Sequence, residues 1–130
     1  MDRIEKSAAE WREELSPEQY DVCRQCGTEP AFSGAYWDCH DPGIYRCVCC
    51  GAALFASEAK FDSGSGWPSF SQPYKPENIM SRADTSHGAQ RVEVLCKQCG
   101  AHLGHIFPDG PPPTGLRFCI NSTALALDRN

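Results

Sequence analysis

The chain has 130 residues, 41% of them apolar, which suits one domain around a modest core. Its net charge of −5 excludes a general nucleic-acid binder, because phosphate contacts need clustered Lys and Arg. Ten prolines and eleven glycines demand many turns and favour short strands over long helices.

The N-terminal residues MDRIEKSAAEW hold no apolar stretch of the signal-peptide kind. No run approaches the ~20 apolar residues of a membrane helix. The expected location is the cytoplasm, with no membrane partner. Nine cysteines in a reducing compartment need a use other than structural disulfides, and the odd count leaves at least one without a cysteine partner.

Residues 1–15 predict a helix, since Ile4, Ala8, Trp11 and Leu15 recur at helical spacing. Ser16-Pro17-Glu18-Gln19 predicts the start of a second. Ser16 caps, Pro17 takes the first helical position and Gln19 completes a capping box. That helix is short and should end near Gly27. The stretch from Gly27 to Gly43, with Pro30, Gly34 and Pro42, predicts a mobile surface loop with few ladder bonds. Another helical turn is expected at Ser57. Strands are expected at 43–48, 91–95 and 116–121, with turns at 62–69, 72–76 and 108–115. The sum is one small all-β domain behind a helical N-terminal arm.

Three segments share the form C-x-x-C-G: Cys23 to Gly27, Cys47 to Gly51 and Cys96 to Gly100. Two sulfurs around a tight turn grip one side of a tetrahedral Zn²⁺, and a second such knuckle supplies the other two ligands. Cys47/Cys50 and Cys96/Cys99 each follow a strand and are the favoured pairs, with Cys49 a bystander. The Cys23/Cys26 knuckle follows a helix instead.

On the last of these strands, Leu116, Phe118 and Ile120 share one face, and Arg117, Cys119 and Asn121 the other. Cys119 thus sits between a permanent cation and an amide, away from the apolar face. A nearby cation favours thiolate, the nucleophilic form. His102 and His105 follow a knuckle, which is a rigid mount for a general acid near neutral pH. Trp67 lies in a glycine-proline turn and can wall a small apolar pocket.

The motifs GSGWPSF, SHG at 86–88, CGAHLGHIFPDGPPPTG and RFCINS together resemble those of the methionine sulfoxide reductase B family, over residues 16–127. The resemblance implies a barrel-like all-β fold of two antiparallel sheets, with residues 1–15 as a helical arm and 16–127 as the reductase domain. It implies one structural zinc on Cys47, Cys50, Cys96 and Cys99. It makes Cys119 the nucleophile, with His105, His102 and Asn121 in the same catalytic network. Trp67 then packs on the substrate's S-methyl group, and His87, Phe107 and Arg117 join it in binding substrate. The implied reaction reduces methionine-R-sulfoxide in proteins through a Cys119 sulfenic acid. Thioredoxin is the implied reductant. A monomer is expected.

One position departs from the family pattern. Many members carry their resolving cysteine where this chain has Ser65. Cys23, Cys26 and Cys39 are then the candidate resolving thiols, unless the sulfenic acid is reduced from outside. Two other readings compete. One is a zinc-ribbon-like binding module with Trp67 and Phe70 as anchors. The other is a disulfide oxidoreductase using Cys23/Cys26, although no thioredoxin-like βαβ pattern surrounds them.

Overall fold

The structure, a computed structural model, describes residues 6–25, 27–85, 91–112 and 114–129. Cys26 and His87 lie outside these residues. Among the described residues two short helices precede two antiparallel sheets.

Helix α1 spans Ala8–Glu14 and α2 spans Pro17–Arg24. Each opens on a capping box, Ser7 with Glu10 and Ser16 with Gln19, so two N–H groups at each helix start are satisfied by side chains. The second box is the one expected from Ser16-Pro17. Of the face expected from the helical spacing, Trp11 and Leu15 are buried but Ala8 is exposed, and Ile4 lies outside the described residues. The Arg24 guanidinium stacks 4.5 Å over the Trp11 ring and donates to the carbonyl of Cys99 at 3.0 Å, so it fastens both helices to the sheets.

The smaller sheet has the order β2-β1-β9, from Gly43–Cys47 (β1), Ala53–Ala56 (β2) and Leu125–Arg129 (β9). The larger has the order β3-β4-β8-β7-β6-β5. Its strands are Lys60–Phe61 (β3), Ser69–Phe70 (β4), Ile79–Asp84 (β5), Arg91–Cys96 (β6), His102–Phe107 (β7) and Arg117–Ile120 (β8). The helical turn expected at Ser57 is present as the 3-10 turn Ser57–Ala59. Aromatic rings join the sheets. Phe55 from β2 stacks on Phe70 from β4 at 4.5 Å, and Tyr45 from β1 meets the edge of the same ring at 5.2 Å. No described helix is long and apolar enough to cross a membrane.

Two backbone features set the geometry of β7. Gly104 sits so close to β8 that an added Cβ would lie 1.9 Å from the carbonyl oxygen of Cys119. Only a residue without a side chain permits that approach. The register against β6 also shifts, because Val94 faces Gly104 while Leu95 faces His102. Leu103 is therefore an extra residue, a bulge that reverses the alternation along β7.

Residues 28–42 form no ladder, as expected, yet they are tethered. The Phe32 N–H donates to Gly66 O at 2.8 Å, the Tyr36 N–H to Ser122 Oγ at 3.1 Å, and the Leu127 N–H to Tyr36 OH at 3.2 Å. The segment is a strap that carries side-chain and turn hydrogen bonds to distant parts of the chain. We predict that Gly104→Ala destabilises the fold by about 3 kcal/mol or more, because backbone must move to admit the methyl. Urea denaturation followed by circular dichroism measures this, and a loss below about 1 kcal/mol would be inconsistent with so tight an approach.

Candidate active site and metal centre

The two knuckles are the same turn built twice. Gly51 and Gly100 both take positive φ, at 82° and 77°. The Gly51 N–H returns to Cys47 O at 2.8 Å, and the Gly100 N–H to Cys96 O at 2.7 Å. Each turn caps a hairpin, β1–β2 in one sheet and β6–β7 in the other. Between them Cys47, Cys50, Cys96 and Cys99 bring their sulfurs within 4.8 Å of one another. Cys47 Sγ lies 3.6 Å from Cys99 Sγ, and Cys50 Sγ lies 3.6 Å from Cys96 Sγ. Metal–sulfur bonds of ~2.3 Å at tetrahedral angles put sulfurs roughly 3.8 Å apart, so the four fit a tetrahedral ion. These are the two knuckles favoured on strand grounds. Cys23 is instead buried on α2, and Cys39 is half-buried beside Lys60 and His40.

A separate cleft of about 180 Å³ opens on the outer face of the larger sheet. Trp67, His105, Phe107, Arg117, Cys119 and Asn121 line it. Sequence reasoning named all six. Cys119 faces His105 directly across β7–β8, and it faces Ser69 on β4. Without the bulge, His102 and His105 would point to opposite faces, being three residues apart. With it, their rings meet edge to face at 5.5 Å. His102 does not line the cleft but lies behind His105, buried at 3% exposure.

Cross-strand carboxylates orient both imidazoles, and sequence reasoning missed them. His105 Nε2 bonds Asp84 Oδ2 at 2.7 Å, and Arg91 reaches the same oxygen at 3.4 Å. His102 Nδ1 bonds Glu93 Oε2 at 2.6 Å, and Arg82 Nε donates to the other Glu93 oxygen at 2.7 Å. Burial pushes Glu93 up, but Arg82 and His102 outweigh it and hold the carboxyl below its ordinary value. Burial likewise pushes His102 below the usual histidine value, against the pull of Glu93. A neutral His102 donates Nδ1–H to Glu93 and keeps Nε2 as an acceptor. A signal for Glu93 existed in the alternation of β6, but Asp84 lies on β5, and only the register says which histidine each one meets.

Burial pushes the Cys119 thiol above its ordinary value, while Arg117 and the Ser65 hydroxyl pull it back. Arg117 is held in turn by Asp109, at 3.0 and 3.3 Å, and lies 4.5 Å over the Phe107 ring. Trp67 donates its indole N–H to Glu29 O at 2.9 Å, leaving the ring as a wall of the cleft. Asn121 accepts from the Glu29 N–H at 3.1 Å and donates to Leu103 O at 3.0 Å. Among the described residues, that carbonyl is the one acceptor the Asn121 amide meets.

A chain with separate metal and thiol sites makes a clear prediction. Cys96→Ser should lose bound metal and lower thermal stability, because one of four ligands is gone. Cys119→Ser should retain the metal. Metal content by plasma mass spectrometry decides it, and loss of the ion on Cys119→Ser would make Cys119 a ligand.

Known proteins resemble this chain in sequence. The SelR domain family model matches residues 15–129. A protein of Thiobacillus denitrificans is 60% identical over 122 residues, covering 94% of this chain and 92% of its own. One from Azotobacter vinelandii is 59% identical over 127 residues, covering 98% and 96%. One from Thioalkalivibrio sulfidiphilus is 64% identical over 114 residues, covering 88% and 83%. Each of the three is named peptide methionine sulfoxide reductase MsrB. The chain belongs to the SelR domain family, that of the MsrB peptide methionine sulfoxide reductases.

Proposed function

We propose that the chain reduces methionine-R-sulfoxide in proteins to methionine, with Cys119 as nucleophile. The observation that carries this is the pairing of Cys119 with His105 across β7–β8 inside a cleft walled by Trp67. A sulfoxide sulfur is electrophilic, but oxide is a very poor leaving group. Attack by sulfur needs a proton delivered to the oxygen in the same step. His105 has its Nε2–H engaged by Asp84, so it acts as the imidazolium, and Nδ1–H is the atom that gives this proton. The Cys119 sulfur bonds the sulfoxide sulfur, and the oxygen then passes to the cysteine. Methionine departs, and Cys119 is left as a sulfenic acid.

Arg117 favours the thiolate by charge, and Phe107 supports it from below. The second amide hydrogen of Asn121 serves the developing charge on oxygen, and His102 with Glu93 backs His105. Trp67 packs on the methyl group, which leaves one epimer with its oxygen toward His105. His87 joins this set by its place in the SHG motif. Zinc is the ion proposed for the four cysteines, since four thiolates in a closed shell suit it.

Recycling uses the same thiol chemistry. A second thiol condenses with the sulfenic acid, forming a disulfide and water, and thioredoxin reduces that disulfide by exchange. Ser65 cannot serve, so Cys23, Cys26 and Cys39 are the resolving candidates. Neither Cys23 nor Cys39 lines the cleft, so either has to move to resolve. Position 26 stands two residues from Thr28, which does line it. The cytoplasm and a monomeric state complete the reading.

The test is single turnover without reductant, on peptides carrying each sulfoxide epimer, followed by peptide mapping. One methionine per chain is expected from the R epimer and almost none from the S. Equal rates would overturn the pocket assignment. A Cys119 disulfide to position 23, 26 or 39 is expected in the map. Sulfenic acid alone on Cys119 would make this a one-cysteine enzyme reduced from outside.

A further inference from the structure

Glu29 is a carboxylate in a loop, yet it is only 7% exposed. Two of its groups meet the cleft, and a third holds the turn beside it. Its N–H donates to Asn121 Oδ1 at 3.1 Å. Its carbonyl accepts the Trp67 indole N–H at 2.9 Å. Its side-chain Oε1 accepts from both the N–H and the hydroxyl of Thr123, each at 2.8 Å. Thr123 lies in the 3-10 turn Ser122–Ala124, directly after Asn121. So the carboxylate grips the turn that follows one cleft residue, while the same residue's peptide groups hold that residue and the opposite wall.

The second oxygen, Oε2, is buried with no hydrogen-bond partner among the described residues. It faces Gly34, where an added Cβ would lie 2.3 Å from Oε2. An unpartnered carboxylate oxygen inside a protein is costly and calls for a reason. Oε1 alone ties the strap to the Ser122–Ala124 turn. A cleft whose two walls must be aimed together gives that tie a use in the reaction, because misplacement by about 1 Å can cost 10²-fold in rate.

We propose that Glu29 is a positioning residue of the sulfoxide cleft. Its carboxylate locks the strap to the turn after Asn121, and the locked peptide aims Trp67 and Asn121. The cleft's use for sulfoxide rests on the functional reading above. The positioning itself is a separate matter that can be read without turnover.

The test uses the full chain as Glu29→Ala, Glu29→Gln and Thr123→Val, each checked for metal content. Glu29→Ala should raise KM for the R-sulfoxide peptide by about tenfold or more, with a smaller fall in kcat, and should narrow the preference for R over S. Glu29→Gln keeps an acceptor for Thr123 and should restore most of both. Thr123→Val removes one of the two bonds to Oε1 and should move KM the same way by less. In parallel, NMR hydrogen exchange at the Trp67 indole N–H should be faster in Glu29→Ala than in wild type, and near wild type in Glu29→Gln. Unchanged KM, selectivity and indole exchange in Glu29→Ala would overturn the proposal. If that variant does not fold, unchanged KM and exchange in Thr123→Val would do so. Glu29→Gln as impaired as Glu29→Ala would also overturn it. If the wild type reduces no sulfoxide, the functional reading falls, and the indole exchange still decides whether Glu29 holds Trp67.

Discussion

The close approach of β7 to β8 at Gly104 is the constraint on which the cleft depends. Antiparallel neighbours share a face, so the pairing His105↔Cys119 puts an imidazole beside a thiol with no loop involved. The same rule extends the face outward. Asp84 pairs with Arg91, Arg82 with Glu93, and Glu93 with His105. The result is a polar face across four strands, from Arg82 to Cys119, in which each imidazole has its own carboxylate and each carboxylate a guanidinium. The opposite face, with Val94, Ile120, Phe118 and Phe70, is the core. One sheet thus buries its apolar side and assembles chemistry on the other.

The cysteine cluster serves that sheet from a distance. Its two knuckles belong to different sheets, so an ion between them ties β1–β2 to β6–β7. The second knuckle begins at the end of β6 and closes at Gly100, just before β7 starts at His102, three residues ahead of His105. Fixing that turn fixes where β7 starts, and the bulge at Leu103 then decides which way the two histidines point. In a chain of this size, closing such a shell adds folding free energy that a modest core supplies only in part.

Much of this was legible in the sequence. The Ser16 capping box, the two strand-linked knuckles and the alternation of 117–121 each rest on local periodicity or spacing, and each is present in the structure. The strands missed include β3 and β4, too short at two residues each to show a period, and also the longer β2, β5, β7 and β9. The bulge was also invisible, because a single extra residue leaves no compositional trace. Read as a regular strand, His102 and His105 oppose each other, and nothing local says otherwise. Asp84, Glu93 and Glu29 escaped notice for a related reason. An acid becomes a partner only through cross-strand register or a strap crossing, both of which are long-range. The stretch after α2 had the glycine and proline content of a loose loop. Its tethers are single bonds to Asn121, Ser122, Thr123 and Gly66, which are far away in sequence.

The proposed chemistry requires Cys119 and His105 to act as one unit, the first attacking sulfur while the second protonates oxygen. The direct measurement is the rate of methionine formation in a single rapid-quench turnover, comparing wild type with His105→Asn at equal metal content. Loss of the acid should slow that step by about 10²-fold or more, with Cys119 still present as a free thiol. A His105→Asn protein that forms methionine at the wild-type rate would contradict it.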